Sequence, residues 1–206
     1  MANQITHIVL AGKVLDQIPD AISHAEFLIG TVFPDIRYLG CVDRGQTHFK
    51  GVVFNDVLTE SNPFLAGMKY HSLSDEVREK YMVKRGAYDL APSSKLVTKA
   101  LKTYEDEVLY ENFSQWDQVV RHLDIIAAEE EKIIKEVDQI RRWHVSIQEY
   151  FREAPTDTSR KKFALAVGLS AEVADEINNL IMHMRREPRL REIIVEMYQN
   201  WVYLIR

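Results

Sequence analysis

Apolar positions recur at helical spacing along most of this chain, and no stretch sustains the period-two alternation of a half-buried strand. The first run, Gln4 to Leu15, reads as a short amphipathic helix with Ile5, Ile8, Val9 and Val14 on its apolar face and His7 in its first turn. Asp20 is placed to cap a second helix, Ala21 to Gly30, whose apolar set includes Ile22, Phe27 and Leu28. Around Phe27-Leu28-Ile29-Gly30 that helix is apolar on every side, which requires burial. Pro34 then stops it and biases Phe33 towards an extended backbone. Residues 36–60, punctuated by Gly40, Gly45 and Gly51, read as an irregular connection, and a patternless connection of that length in a compact domain usually carries function.

A third helix runs from Pro63 to Met82, with proline at an allowed first-turn position. Residues 84–93 form a loop, and Ser93 or Ser94 caps a helix from Leu96 to Tyr110. Ser114 caps what reads as the longest helix, Gln115 to about Phe151. Its seam, Val119, Leu123, Ile126, Glu130, Ile133, Val137, Ile140, His144, Ile147 and Phe151, has heptad spacing. On one straight helix the two polar seam residues, Glu130 and His144, lie about 21 Å apart and cannot share a site. The seam is expected to pack on the C-terminal helices or on a second copy of the chain. Pro155 to Thr158 mark a turn, a helix from Ser159 to Val167 ends at Gly168, Ser170 caps a helix from Ala171 to Arg186, and Pro188 opens the last one. The fold class is all-α: one helical domain over residues 1–206, with a metal-binding core at 1–112 and a segment at 113–206 that serves as lid, dimer arm or the rest of the core.

With 46% hydrophobic residues, eight glycines and six prolines in 206 residues, the chain can bury a sizeable core. Its formal charge of −5 does not favour a general nucleic-acid surface. Cys41 is the only cysteine, so an internal disulfide and a thiolate zinc site are both excluded. No apolar run approaches the roughly 18 residues of a membrane span. The N-terminus lacks the basic and apolar regions of a signal peptide, so a soluble, cytoplasmic protein is expected.

The chemistry concentrates between Phe27 and Asp75. Phe33-Pro34-Asp35-Ile36-Arg37 puts a carboxylate just after a buried helix end, where it is costly unless paired or metal-bound. Thr47-His48-Phe49 follows, and then His71 and Asp75, four residues apart and on one helix face. His7 lies upstream. These residues offer three imidazoles and two carboxylates, the donors that zinc takes when no thiolate is present. Arg37 and Arg44 flank them and could clamp a phosphate, or form salt bridges with Asp43, Asp56 or Asp20. Glu105 and Asp106 could add oxygen ligands, although a solvated run of charge is the plainer reading. His24 reads as a core histidine and His183 as part of an exposed helix face.

The succession Thr6-His7, Phe27 to Leu39, Thr47-His48-Phe49 and Phe64 to Asp75 resembles the zinc-dependent phospholipase C family and the related zinc-dependent single-strand nucleases, over about residues 5–80. The resemblance implies an all-helical fold with a zinc cluster. It implies that Asp35, His48, His71 and Asp75 hold one zinc, that His7 and a bridging Asp75 contribute to a second, and that Asp35 is also a general base. The family's N-terminal Trp ligand and its later H-x-x-x-E are missing here: the chain begins Met-Ala-Asn, and His144 is followed four residues on by Gln148. One or two divalent ions are therefore expected, zinc first, with iron or manganese as alternatives.

Three readings stand side by side. The first is a metal-dependent hydrolase of a small phosphorylated substrate, a phosphodiester or phosphomonoester, with Asp35, Arg37 and Arg44 as its catalytic groups. The second is a non-catalytic metal-binding or interaction protein that uses the 115–151 helix, for instance to form a homodimer. The third is a metal-free bundle whose His and Asp residues pair with one another.

Overall fold

The computed structural model describes residues 3–19 and 23–206. The regular structure in these residues is entirely helical. In chain order the α-helices are α1 (Gln4–Gly12), α2 (His24–Val32), α3 (Arg44–Thr47), α4 (Phe54–Leu58), α5 (Pro63–Lys84), α6 (Ala87–Leu90), α7 (Val97–Leu109), α8 (Trp116–His122), α9 (Ala128–Ile133), α10 (Val137–Phe151), α11 (Asp157–Ala166), α12 (Ala171–Met184) and α13 (Pro188–Leu204). Short 3-10 segments at Leu15–Gln17, Phe33–Leu39 and Tyr110–Asn112 follow α1, α2 and α7. No described helix is long and apolar enough to cross a membrane. The cap expected from Asp20 and the apolar role expected of Ile22 lie outside the described residues.

The helix ends follow local chemistry. Asn62 accepts a hydrogen bond from the Leu65 amide at 3.0 Å and Pro63 takes the first position of α5, where its missing N–H costs nothing. Ser23 caps α2 and Ser170 caps α12. Pro34 does not extend the chain as expected. Phe33 stays helical at φ −60°, ψ −40°, because proline is tolerated in the first turn of the 3-10 segment it opens. That segment ends at Gly40, whose φ of +74° only glycine adopts without strain. Residues 36–60 are thus not irregular throughout, since they contain α3 and α4.

α2 and α5 form the central pair and touch backbone to backbone. A Cβ on Gly67 would lie 2.1 Å from the Phe27 carbonyl oxygen, and one on Gly30 would lie 2.1 Å from that of Phe64. Around this pair sit the fully buried Phe27, Phe33, Phe64 and Tyr70. α1 is buried along its whole length rather than amphipathic, because its polar residues face internal partners. α13 closes the core, with the buried Trp201 donating its indole N–H to the Tyr70 hydroxyl at 2.7 Å. The apolar core is continuous from Ile5 to Ile205, so the C-terminal helices share it with the N-terminal ones.

The single helix expected over 115–151 is three helices, α8, α9 and α10. Glu130 and His144, expected about 21 Å apart, are in direct contact, with His144 Nε2 2.8 Å from Glu130 Oε1. The breaks hold because buried side chains satisfy the freed backbone groups. The Leu123 carbonyl accepts from His144 Nδ1 at 2.9 Å, and the Ala127 amide donates to Glu130 Oε2 at 2.8 Å. Val119, Leu123, Ile140, Ile147 and Phe151 lie in the chain's own core, while Ile126, Ile133 and Val137 are half-buried.

Candidate metal centre

Four separate pieces of backbone deliver the five residues expected as ligands. α1 carries His7, the 3-10 segment after α2 carries Asp35, the residue closing α3 is His48, and α5 carries His71 and Asp75. The tight contact between α2 and α5 brings the Asp35 segment against His71. All five side chains converge. His71 Nε2 lies 3.2 Å from His48 Nε2 and 3.7 Å from Asp75 Oδ2, and His48 Nε2 lies 3.9 Å from the same oxygen. His7 Nε2 lies 3.5 Å from Asp75 Oδ1, and the His7 and His71 rings stack at 3.9 Å between centroids. Two triads, His7–His71–Asp75 and Asp35–His48–His71, each place one donor atom per residue within 4.8 Å of the others. An imidazole nitrogen holds a single ion, so both triads cannot be filled through His71. His7, Asp35, His48, His71 and Asp75 would supply the donors for one or two ions.

The hydrogen-bond partners fix which nitrogen of each ring carries the proton. His71 Nδ1 lies 2.9 Å from the Thr31 carbonyl oxygen, which can only accept, so Nδ1 donates and Nε2 is bare. Ser74 gives its hydroxyl hydrogen to the His71 carbonyl at 2.9 Å and so accepts from His7 Nδ1 at 2.9 Å. The Thr47 hydroxyl donates to the Pro34 carbonyl at 3.2 Å and so accepts from His48 Nδ1 at 2.9 Å. Each ring therefore turns an unprotonated Nε2 into the same small space. This is the arrangement in which an outer acceptor orients a metal-binding imidazole. Buried His7 Nε2 and Asp35 Oδ1 have no hydrogen-bond partner among the described residues, and two bare nitrogens 3.2 Å apart repel unless a cation lies between them. The donor set fits a divalent metal.

Burial sets the protonation states. It lowers the pKa of His71 to about 4, with neighbouring His7 acting in the same direction. Burial, then the charges of His71 and Arg44, push His48 down to about 2. His7 is lowered by burial, against the pull of Asp75. All three imidazoles are therefore neutral at pH 7, as ligands must be. Burial would raise the pKa of Asp75, but the attraction of His71 and then of His7 overrides it and holds the carboxyl well below its usual range.

The surrounding shell is polar and specific. The Gln4 amide donates to Asp35 Oδ2 at 2.8 Å, and the Arg37 guanidinium lies 3.4 Å from Asp35 Oδ1 while its side chain lies over the Tyr38 ring. Arg44 reaches to 3.9 Å of Asp75 Oδ2 with its side chain 53% exposed. A shallow opening of about 370 Å³ lies over Asp75, with Arg44, Phe49, Lys50 and Lys80 on its walls. Among the described residues Arg44 and Arg37 pair with the site's own carboxylates and not with Asp43 or Asp56, and the expected pairing with Asp20 lies outside those residues.

Glu105 and Asp106 are not a solvated run of charge, since both are fully buried. Glu105 pairs with the buried Arg78, whose Nε lies 3.0 Å and 3.1 Å from its two oxygens. Asp106 accepts from the Thr6 amide and hydroxyl, both at 2.8 Å, and so caps the start of α1 from another helix. Neither falls in a ligand triad. His24 is exposed, not in the core, because it opens α2 at the surface, and His183 is exposed as expected. Sequence reasoning missed the orienting groups Gln4, the Thr31 carbonyl, Thr47 and Ser74. Only Thr47, adjacent to His48, and Ser74, one residue before Asp75, left a trace in the spacing.

Comparison with models of known protein families, with curated proteins and with solved structures finds no match.

Proposed function

We propose that this chain is a metal-dependent hydrolase acting on a phosphoester, with one or two divalent ions, zinc first, held by His7, Asp35, His48, His71 and Asp75. One observation supports this most: three imidazoles, each with its proton committed to an outer acceptor, turn bare nitrogens onto two buried carboxylates. A divalent ion bound there supplies a water of lowered pKa and neutralises charge on phosphoryl oxygens. The chain's own groups do the rest. Asp35 takes the proton of the attacking water. Arg37 orients Asp35 from 3.4 Å. Arg44, at the opening beside Asp75, holds the phosphoryl oxygens of the substrate in two-pronged fashion.

A second reading, a metal site that only stabilises the fold, is favoured by the burial of the donors, since Asp75 is just 5% exposed. Elemental analysis of untagged protein tests the shared premise, with one or two equivalents of metal expected and loss in Asp75→Ala and His71→Ala. Hydrolysis of bis(p-nitrophenyl) phosphate or p-nitrophenyl phosphate by the loaded protein, lost in Arg44→Ala with metal retained, separates the two readings. A loaded protein inert towards both esters supports the structural site. A chain that takes up no metal ends both.

A further inference from the structure

A second cavity, of about 420 Å³, opens between α7, α11 and α12. That is within the size range of sites for small organic molecules. Its two sides differ. Lys99 and Lys102, three residues apart, share a face at the start of α7, and Lys95 stands in the turn just before it. Opposite them Phe163 and Ala164 of α11, Val167 just past its end, and Ala174 and Ile177 of α12 make an apolar wall. Arg37 and Arg160 complete the lining. The whole chain has 31 acidic residues against 26 Lys and Arg, yet among the described residues no Asp or Glu lines this cavity.

Part of this charge has internal partners: Lys102 feels the attraction of Asp75 and Asp35. Arg160 is engaged by Glu107 and Asp157, and Arg37 by Asp35. The side chains of Lys95 and Lys99 make no ion pair or hydrogen bond among the described residues. Lys102 is buried, and burial lowers its pKa. A buried ammonium beside two other lysines gains from an anion more than a solvated one does. Tyr150, whose hydroxyl donates to Asp106 at 3.0 Å, shields the cavity from that carboxylate.

We propose that this cavity binds a small amphiphile with a single oxyanion head, phosphate or carboxylate, on an apolar body. The head sits between the lysines and Arg37, and the body lies against α11 and α12. Occupancy needs no metal, so the site stands apart from the proposed hydrolysis, although Arg37 belongs to both.

The test is calorimetric titration of the full chain with octyl phosphate, octanoate, octanol and inorganic phosphate, with a chelator present. Octyl phosphate or octanoate should bind one to one, more weakly as salt rises, and the preferred anion identifies the head group. Octanol and inorganic phosphate, each half of the ligand, should bind far more weakly. Charge reversal of the exposed pair, Lys95→Glu with Lys99→Glu, should weaken the anion about tenfold or more, since each reversal turns an attraction into a repulsion at short range. Ala164→Trp, checked for folding by circular dichroism, should fill the cavity and remove binding. Octanol binding as tightly as octyl phosphate overturns the proposal, as does indifference to the double reversal. So does binding lost in His71→Ala, which would locate the anion at the metal centre, and so does the absence of binding by either anion.

Discussion

The substitution Gly67→Ala probes how the α2–α5 contact builds the candidate metal centre. Its new Cβ would sit 2.1 Å from the Phe27 carbonyl oxygen and 2.8 Å from the Thr31 amide nitrogen. Real Cβ contacts essentially never fall below 3.0 Å, so α2 must retreat by about 0.9 Å. Both clashing groups are backbone, so no side chain can swing aside. Overpacking of this kind costs about 1–3 kcal/mol, and a clash between helix backbones belongs at or above the upper end. The gain in helix propensity from Gly to Ala, about 1 kcal/mol, offsets only part of it. The same shift moves the Thr31 carbonyl, which holds the His71 Nδ1 proton at 2.9 Å. Loss of such an orienting bond lowers metal affinity about 10–100-fold. Urea unfolding and zinc competition against a chromogenic chelator measure the two effects, with Gly45→Ala, where a Cβ meets nothing within 4 Å, as control. A Gly67→Ala protein with the stability and zinc affinity of the parent would refute the link between this contact and the site.

Three other outcomes are expected. Thr47→Val and Ser74→Ala should each cut zinc affinity about 10–100-fold with helicity by circular dichroism unchanged, because each frees a ring from its tautomer; unchanged affinity in both would remove the orienting role. Arg78→Met should cost about 3–5 kcal/mol in denaturant unfolding by leaving Glu105 buried without its partner, and Glu105→Leu added to it should restore most of that loss. For pH, the unfolded chain takes protons on histidine near 6.5, whereas folded His71 resists to about 4 and His48 to about 2, so the stability of metal-free protein should fall as pH drops from 6.5 towards 4. Asp106, raised by burial to about 7, works the other way and loses its contribution as pH climbs from about 4 to 7. Thermal midpoints between pH 4 and 8 should therefore fall more steeply on acidification in Asp106→Asn, and a parallel profile would contradict the assignment.

The all-helical class and the convergence of the five proposed ligands were legible because each depends on short-range pattern: helical periodicity, proline at a first turn, and His71 and Asp75 four apart on one face. What escaped the sequence depends on partners far along the chain. Asp106 looked like one member of an exposed acidic run, yet it serves the start of α1, 100 residues earlier. Glu130 and His144 fit a heptad register and were placed on one continuous helix, because neither glycine nor proline marks the breaks. Their direct contact folds α9 back towards α10, and only the hydrogen bonds to Leu123 and Ala127 explain it. Gly30 and Gly67 could be read as helix punctuation or as weak helix residues. Their use as a paired gap, letting two backbones meet, required knowing which helices are neighbours.

The cap that Asp106 places on α1 sets an order of events during synthesis. All five proposed ligands emerge before residue 76, yet His7 rides on a helix whose first turn is held by Asp106, itself held by the Tyr150 hydroxyl. A nascent chain that ends near residue 100 thus carries every donor atom without the group that positions one of them. A metal held by the proposed ligands would then be captured firmly only once α7 and α10 have left the ribosome and docked, so its occupancy would report the docking of those two helices.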